Sequence, residues 1–491
     1  MNKLLRILTP AMLLAELTVH GETNQLKALP LRECVERALV NNIEIRAERI
    51  NPDIGTWGIT GAQGVYDPVL SGAINYQDST VPQDPGVPAL TQQTLQPTLG
   101  LAGKLPTGAT YDFTASDDRT SGNVITNFSY LYTGQTGVSV TQPLLKNFGL
   151  GINSATIRIA RKFKAIAVQN FIYLVMTKIS AVSTAYYELV FAIENHKATV
   201  EDLDEAKQLL AEDRERVKVG VLTPLDVTTA EAGVAERLQA VILAARTIKD
   251  NENILKRLIC REVSEFRGMT LLPVDYPLVQ MIQTDVAEST RTALTRRPDY
   301  LSSKEALEKQ NILVQFNHNQ LWPEIDLQGS YGLNGRGRTF DGYSDNLTTG
   351  NSPVWGIGVA VSFPLGNRQA RSNYHVAQLD ADQLLLNLKA LEQDIIVQVD
   401  NAVGHVETGL KSYEAAHEAT RLAQESLDAE KKKLLAGTST TFLVLQAQTQ
   451  LADARSAEIR ARADYNEALV ALDQAEGTIL SKNNIVLKLN D

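Results

Sequence analysis

The chain has 491 residues, enough for two or more ordinary domains or one large one. Its 47 Lys and Arg residues and 57 Asp and Glu residues give a net charge of −10, spread along the chain without a basic stripe. This distribution argues against a nucleic-acid partner, because affinity for nucleic acid depends on clustered Lys and Arg. The only two cysteines, Cys34 and Cys260, lie far apart in apolar helical contexts, so no disulfide framework, redox pair or thiolate metal site is expected.

Signatures of catalysis and cofactor binding are missing from the sequence. It contains no HExxH, GxSxG, Walker or GxGxxG motif, and the pair His417-Glu418 is not followed by the second His that a zinc motif needs. Acidic helix faces such as 201–205 are typical of solvated surface. The sequence therefore predicts no enzyme activity, no catalytic residues, no cofactor and no metal site.

The first residues have the features of an export signal. Lys3 and Arg6 precede the apolar run 7–15, and small residues shortly after it offer a cleavage site. Glu16 weakens the signal. We interpret residues 1–21 as a signal peptide, and no lipid-anchoring cysteine follows it.

The most apolar stretch of the chain runs from Phe171 to Val190, with Lys178 in its middle and Glu188 near its end. A charge at the centre of a membrane-spanning helix costs about 2.5–3.5 kcal/mol on insertion scales. We therefore expect this stretch to be a helix packed against protein on more than one side. An exported protein without spanning helices is periplasmic, secreted or an outer-membrane barrel.

Internal repetition is the most informative feature of the sequence. The segment 218–227, which contains Gly220, aligns with 435–444, which contains Gly437. Segments upstream match in the same order, 138–144 with 359–365 and 66–68 with 321–323. Each half therefore has the order helix, β-hairpin, long helix, glycine turn, long helix.

This repetition predicts how the chain is divided. The first repeat covers 22–259 and the second covers 260–480, followed by a C-terminal tail at 481–491. After an opening helix, the first repeat has a β-hairpin region and two long helices, at 66–143, 154–219 and 223–259. The second repeat has a helix, a β-hairpin and two long helices, at 284–320, 322–365, 367–436 and 438–479.

The hairpins alternate apolar and polar residues with period 2. In the second repeat, apolar residues on one face include Ile325, Leu327, Tyr331, Trp355, Ile357, Val359 and Val361. Apolar faces opposite polar or small ones, in segments of about 9–11 residues, suit a lipid-facing barrel strand. A half-buried strand of a soluble sandwich gives the same alternation. The first-repeat hairpin is longer, and its excess around 95–115 predicts either extra barrel strands or a hairpin outside the membrane.

The helices are unusually long and end at glycine turns. The segment 154–219 has 66 residues without Pro or Gly, which makes a helix of about 100 Å, whereas ordinary globular helices have about 11–12 residues. The alanine-rich partners allow close backbone approach, so we expect antiparallel coiled-coil pairs. Gly220 and Gly437 suit left-handed backbone after a helix, and Thr223-Pro224 and 438–441 supply caps for the next one. A solvent-exposed coiled coil without a pore is the alternative interpretation.

Several short motifs occur together in this order. They are the turn Val219-Gly220-Val221-Leu222-Thr223, the pair Gly437-Thr438 followed by 442–447, the strand exits 141–144 and 362–365, and the opening helix 29–42. As a set, they resemble the TolC family of outer-membrane efflux proteins over about residues 30–480. The resemblance implies an α+β membrane protein in which three protomers, each with two repeats, form one outer-membrane β-barrel. About four strands per protomer, or more, would continue into a long α-helical periplasmic barrel.

The resemblance also implies a function and partners. It predicts the outer-membrane channel of a tripartite efflux or type I secretion system in a Gram-negative-type cell, with a periplasmic helical extension. The channel would be a passive exit duct for substrates delivered by an inner-membrane transporter through a periplasmic adaptor (membrane fusion) protein. The partners implied are two further copies of the chain, the adaptor, the transporter and outer-membrane lipid, and no nucleic acid. A coiled-coil envelope scaffold without a channel would explain the helices but not the duplicated lipid-type strands.

Site residues are implied at the two glycine turns. The turns would form the periplasmic tip that contacts the adaptor, through Gly220, Val221, Leu222, Thr223, Gly437 and Thr438. The pore gate would fall on Asp226, Ser439, Leu443 and Gln446. In the best-known member, acidic residues ring the closed pore and a basic residue ties it to the first-repeat aspartate. Because Ser439, Leu443 and Gln446 replace those charged groups here, we expect neither cation block nor a salt-bridged lock.

Overall fold

The computed structural model describes residues 25–125, 129–266 and 268–487. The predicted signal peptide, residues 1–21, lies outside the described residues, as does the end of the predicted tail. The chain divides into two compact units. The helical unit consists of the residues up to Asn42, Ala181–Met281 and Thr408–Glu467, and the sheet unit consists of Ile43–Ser180, Ile282–Glu407 and the residues from Ala468 onward.

The strands and helices of the described residues have the following bounds. The strands are β1 (Gln25–Leu29), β2 (Val69–Val81), β3 (Leu90–Lys104), β4 (Thr110–Ser121), β5 (Leu131–Pro143), β6 (Met269–Pro273), β7 (Glu324–Gly337) and β8 (Pro353–Ser362). The helices of the first half are α1 (Leu31–Asn41), α2 (Ile43–Glu48), α3 (Ile50–Gln63), α4 (Leu150–Asn153), α5 (Ala155–Lys218) and α6 (Pro224–Ile259). Those of the second half are α7 (Val286–Arg296), α8 (Pro298–Asn319), α9 (Phe340–Thr348), α10 (Arg368–Leu435), α11 (Thr441–Glu476) and α12 (Ile479–Lys482).

The sheet unit is built on a six-stranded sheet with the order β2-β3-β4-β5-β7-β8. All five neighbouring pairs are antiparallel. Thus the first repeat contributes four strands and the second contributes two, which agrees with the prediction of about four strands per protomer or more. The excess segment around 95–115, for which two placements were open, lies in β3 and β4 inside this sheet.

One face of the sheet carries an apolar belt. A single row of register partners crosses all six strands on this face, namely Leu70, Leu101, Phe113, Val138, Tyr331 and Trp355. The next row, on the opposite face, includes Ala102, Asp112, Ser139, Ser330 and Gly356. Because side chains alternate between faces, one face is apolar and the other is small or polar, as a lipid-facing wall around a polar lumen requires. We call the apolar side chains of the first face the outer belt.

The connection between β7 and β8 folds back onto the same face. It forms α9, whose buried Tyr343 lies over strand glycines. A Cβ on Gly335 would come within 2.7 Å of the Tyr343 ring, and one on Gly134 within 2.4 Å of its hydroxyl. The Phe340 ring lies 6.1 Å from the rings of both Tyr343 and Tyr132. An aromatic cluster therefore lies at one end of the outer belt, where barrels carry aromatic girdles.

The long helices end for identifiable reasons, and two of their bounds differ from the prediction. Helices α5 and α10 have 64 and 68 residues. The predicted helix 284–320 is two helices, because Pro298 has no N–H and holds Arg297 in an extended conformation, with φ −65° and ψ 122°. Helix α11 begins at Thr441 rather than at residue 438, since the turn after α10 uses the intervening residues to close that helix.

The helical unit contains a small parallel pair of β1 and β6. The buried Tyr186 hydroxyl fixes the chain beside it, donating to the Leu29 carbonyl at 3.2 Å and accepting from the Val274 and Asp275 N–H groups at 3.1 Å each. Both cysteines are free and buried here. Burial raises the pKa of Cys34 to about 12 and that of Cys260 to about 11, so neither is a reactive thiolate at neutral pH.

Candidate functional site at the helix turns

The first turn joins α5 to α6. Gly220 has φ +80°, the left-handed conformation expected just after a helix. The Val221 N–H donates to the Arg216 carbonyl at 2.9 Å and so closes the end of α5. Helix α6 then begins with a capping box, in which the Asp226 carboxylate accepts from the Thr223 N–H at 2.9 Å and from its hydroxyl at 2.7 Å. The turn is fixed at both ends by its own residues.

The second turn joins α10 to α11 and is fixed differently. Gly437 has φ +73°, and the Thr438 N–H donates to the Lys433 carbonyl at 3.0 Å. The Ser439 hydroxyl donates to Glu430 at 2.5 Å, and this bond lowers the pKa of the Glu430 carboxyl. At the start of α11 the Leu443 N–H lies 3.4 Å from the Thr440 hydroxyl. Within the described part of the chain, no carboxylate of the turn itself caps α11, so its first turn depends on weaker hydroxyl contacts.

Both turns leave large apolar side chains exposed. Val221 and Leu225 at the first turn are 71% and 72% exposed, and Leu435 and Phe442 at the second are 73% and 63% exposed. Leu222 is half-buried, whereas Thr223, Gly437 and Thr438 are exposed. A Cβ on Gly220 or Gly437 would meet nothing within 4 Å. Apolar groups concentrated at exposed helix ends are typical of a surface that contacts another protein.

A buried apolar cluster lies beneath the second turn. It brings together residues of the first and second repeats, with Leu209 from α5, Leu427 and Leu434 from α10, and Val444, Leu445, Ala447 and Leu451 from α11. Leu427 and Val444 are fully buried. The second helix pair is therefore held in place by α5 of the first repeat.

Charged and polar side chains connect the same helices. Lys431 of α10 lies 3.3 Å from Glu205 of α5. Arg455 of α11 lies 3.4 Å from Asp202 and 3.7 Å from Glu205. Burial raises the pKa of Asp202 to about 6, and the Arg455 guanidinium opposes this shift. Further from the turns, Arg460 and Arg462 of α11 pair with Glu188 and Glu194 of α5.

Asp213 is a buried carboxylate beside the start of α11. It lies on α5 with none of its surface exposed, and neither of its oxygens makes a hydrogen bond of normal geometry to another described residue. Burial raises its pKa, against smaller opposing effects of the Thr441 hydroxyl and Arg216, while Asp226 adds to the increase. A charge at this position destabilises the packing of α5 on α11.

The structure places the predicted gate residues in two separate groups. Asp226 is half-buried and is engaged in the cap of its own helix. Ser439 bonds to Glu430 within its own helix pair, and Leu443 and Gln446 are exposed. Among the described residues, no ion pair joins the first turn to the second.

The contacts of Asp213, Asp202 and Arg455 were not predicted from the sequence. All three lie in charge-rich helical runs that look like solvated surface in one dimension. Only the packing of α5 against α11 distinguishes them from their exposed neighbours, because burial depends on the partner helix. The unbroken helical pattern gives no local signal for it.

The fold, with its antiparallel β-sheet and long helices, is one that solved outer-membrane channel proteins share. The chain superimposes on VceC from Vibrio cholerae with a TM-score of 0.67 at 16% identity, over 91% of this chain and 96% of that one. It superimposes on the Campylobacter jejuni CmeC outer membrane channel with a TM-score of 0.66 at 18% identity, over 91% and 85% of the two chains. At these identities the likeness shows the fold alone.

The family follows from the sequence match. The model of the outer membrane efflux protein family matches residues 89–261 and 290–478, one segment in each repeat. The chain belongs to this family. It is 23% identical to outer membrane protein TolC of Escherichia coli (strain K12) over 335 residues, which is 66% of this chain and 66% of TolC. This alignment spans about two thirds of that relative's length.

These comparisons bear directly on the predictions from sequence. The TolC-family resemblance is confirmed, and so is the α+β membrane fold with a sheet, long helices and two repeats. The location in the outer membrane, with the helices on the periplasmic side, is confirmed as well. The coiled-coil scaffold alternative is not favoured.

Proposed function

We propose that three copies of the chain assemble into a passive exit duct through the outer membrane, serving a tripartite efflux or type I secretion system. The observation that carries this proposal is the six-stranded sheet, whose outer belt suits lipid and whose opposite face is small and polar. A single sheet with two open edges does not span a bilayer by itself, because its edge N–H and C=O groups would lie unpaired in hydrocarbon. Assembly of several copies removes these edges.

The long helices support assembly as well. Within α10, a stripe of exposed apolar side chains lies at helical spacing, with Val376, Leu379, Leu386 and Val397. Within α5, the most apolar 18-residue window meets the length and composition of a membrane span, yet only 28% of it is buried within one chain. We assign these faces to neighbouring copies in a wall of helices, because contiguous apolar surface favours burial against protein.

The two turns are the proposed contact with a periplasmic adaptor. Gly220, Val221, Leu222 and Thr223 would contribute from the first turn, and Gly437 and Thr438 from the second. The exposed Val221, Leu225, Leu435 and Phe442 give this contact its apolar area. Introducing a charge with Val221→Asp should abolish export in cells while leaving trimer formation and conductance unchanged. Unchanged export would contradict the assignment of Val221.

The proposed gate lies at the same turns and lacks a carboxylate ring. Asp226 is used as a helix cap, and Ser439, Leu443 and Gln446 carry no charge. A narrow mouth lined by carboxylates concentrates cations, whereas uncharged groups do not. Opening would therefore require separation of packed helices by the adaptor and pump rather than the release of a salt-bridged lock.

Energy for transport is assigned to the partner. The sequence contains no Walker or GxGxxG motif, so an inner-membrane transporter would supply the driving force. We also assign no enzyme activity to the chain.

The proposal is tested with purified protein in a planar lipid bilayer. We expect step-like ion conductance from a trimer that migrates more slowly on a gel before heating than the monomer released by heating. A monomeric, water-soluble product without conductance would overturn the proposal.

The gate is tested by titrating Mg²⁺ on the periplasmic side of the same bilayer. We expect conductance to change less than twofold, while the matched variant Gln446→Glu, which restores a ring of carboxylates, becomes sensitive to block. Strong block of the unaltered channel would contradict the absence of an acidic ring.

A further inference from the structure

We propose that β2 of one copy pairs with β8 of the next, so that three copies of the six-stranded sheet close into a barrel of eighteen strands. This inference rests on the trimer of the proposed function and identifies the two edges that join its members. The surface concerned is the backbone of Val69–Val81 and of Pro353–Ser362. Its partner is a second copy of this chain.

Both edges are open in a single chain. Strand β2 has only β3 as a neighbour in the described sheet, and β8 has only β7. Every residue of β8 is exposed, as are nearly all residues of β2. Each unpaired backbone group in hydrocarbon costs several kcal/mol, so strands with lipid-facing side chains must find a partner along their whole length.

The strand directions allow the two edges to meet. All five pairings in the sheet are antiparallel, so β2 and β8, at opposite ends of six strands, run in opposite directions. When copies are placed side by side around an axis, β8 of one copy and β2 of the next are therefore antiparallel. The up-and-down order then continues without a break around the ring.

The outer belt is inclined across the sheet by the amount that a barrel needs. Counted from the row that joins Leu70 to Trp355, the belt extends on β2 towards Tyr76 and on β8 in the opposite direction, towards Val361. Its centre thus shifts by about six residues over the five steps between strands. With about 3.3 Å per residue and about 4.8 Å per strand, this shift corresponds to a strand tilt of about 40°. Membrane barrels have tilts of about 35–45°.

The two faces also continue across the proposed seam. On β2 the belt side chains include Leu70, Ile74 and Tyr76, and on β8 they include Trp355, Ile357, Val359 and Val361, all of them largely exposed. The alternate positions are small or polar on both strands, with Ser71, Ala73, Asn75 and Gln77 on β2 and Gly356, Gly358, Ala360 and Ser362 on β8. Pairing of the two edges therefore joins apolar face to apolar face and polar face to polar face.

In an alternative barrel with four strands per copy, β8 of one copy would pair with β4 of the next instead of with β2. Strands β2 and β3 would then lie outside the barrel wall. This arrangement would break the β3–β4 pairing that runs from Gln93 and Ser121 to Lys104 and Thr110 with one interruption at Gln96 and Pro97. It would also place the exposed Leu70, Ile74 and Leu99 in water rather than in lipid. Both changes are unfavourable.

The barrel width follows from the strand number. Barrel diameter grows roughly linearly with the number of strands, so eighteen strands give a barrel about 1.5 times as wide as twelve. The cross-sectional area is then about twice as large. The outer-membrane part of the duct would admit bulkier solutes than a ring of four strands per copy.

Cysteine cross-linking between copies tests the pairing. With the belts aligned, Ile74 of one copy faces the region of Val359 in the next, so the double variant Ile74→Cys/Val359→Cys should form covalent dimers and trimers under mild oxidation, reversed by reductant. The single variants should remain monomeric on a denaturing gel. The pair Leu327→Cys/Val359→Cys, which are register partners within one copy, controls for access of the oxidant.

The alternative barrel, in which β4 pairs with β8 of the neighbouring copy, is tested with the double variant Phe113→Cys/Val359→Cys. This variant would cross-link copies only if β4 were the edge strand. Cross-linking of this pair, or no cross-linking of Ile74→Cys/Val359→Cys while the control pair oxidises, would overturn the eighteen-stranded barrel. Conductance of the unaltered protein is measured in parallel. A channel that conducts but fails the cross-linking test refutes only the seam, whereas a protein that does not conduct refutes the proposed function.

Discussion

The two helix turns occupy equivalent places in the two repeats, yet they are stabilised by different contacts. The first turn is fixed locally, by left-handed Gly220 and by the Asp226 carboxylate that caps α6. The second has an equivalent Gly437 but no capping carboxylate, and α11 is held mainly by the apolar cluster that it shares with α5. Both repeats thus reverse the chain at a left-handed glycine. The first turn is stabilised by local capping, whereas the second is stabilised by contacts between the repeats.

The largest expected effect comes from removing the buried cluster beneath the second turn. Leu427 is fully buried, so Leu427→Ala should lower the free energy of unfolding by about 3 kcal/mol through lost burial and a residual cavity. Thermal unfolding followed by circular dichroism measures the change.

The matched control is Leu435→Ala on the same helix, because Leu435 is 73% exposed. It should change the free energy of unfolding by less than about 0.5 kcal/mol. If the two variants were equally stable, the second turn would not depend on the cluster shared with α5.

An intermediate effect is expected at Asp213, the buried carboxylate that α5 places beside the start of α11. Burial raises its pKa in the folded state. The protonated form is therefore the one that the fold favours, and stability is lost as the pH rises from the unfolded value near 4 through the folded value. Asp213→Asn should stabilise the protein by about 1 kcal/mol at pH 7 and by almost nothing at pH 4.

Unfolding midpoints measured from pH 4 to pH 8 test this dependence. Glu215→Gln, two positions later on α5 and exposed, is the matched control and should leave the pH profile unchanged. An Asp213→Asn variant with the same profile as the unaltered protein would show that the carboxylate is solvated in the trimer.

The order of the helices, strands and turns could be predicted from the sequence, but the tertiary contacts between them could not. Breaker residues predict the two turns, because a left-handed position after a helix favours glycine whatever packs around it. Alternation predicts lipid-type strands, but β3 and β4 are interrupted by Pro97 and by acidic residues at 117 and 118, so the pattern did not determine that they join the sheet. The break at Arg297 was readable from the following Pro298 and was missed.

Asp213 could not be predicted in this way, since its flanking residues are charged and exposed. Its burial arises from a helix of the other repeat, more than 200 positions away in the numbering. Local patterns specify the backbone conformation and the face of an element on which a side chain lies. The burial of a charge depends instead on tertiary packing.

The smallest expected effects come from removing the capping side chain of each turn, and they differ between the two turns. Asp226→Ala removes both bonds that the carboxylate accepts from Thr223, and loss of such a capping box should cost about 1 kcal/mol. Ser439→Ala removes a single hydroxyl bond, to the half-buried Glu430 at the second turn, and should shift the unfolding midpoint less. Hydrogen exchange of the first amides of α6 and α11 locates the change, with faster exchange expected at the start of α6 in Asp226→Ala only. A larger effect of Ser439→Ala would reverse the comparison, because it would make the second turn the more locally fixed of the two.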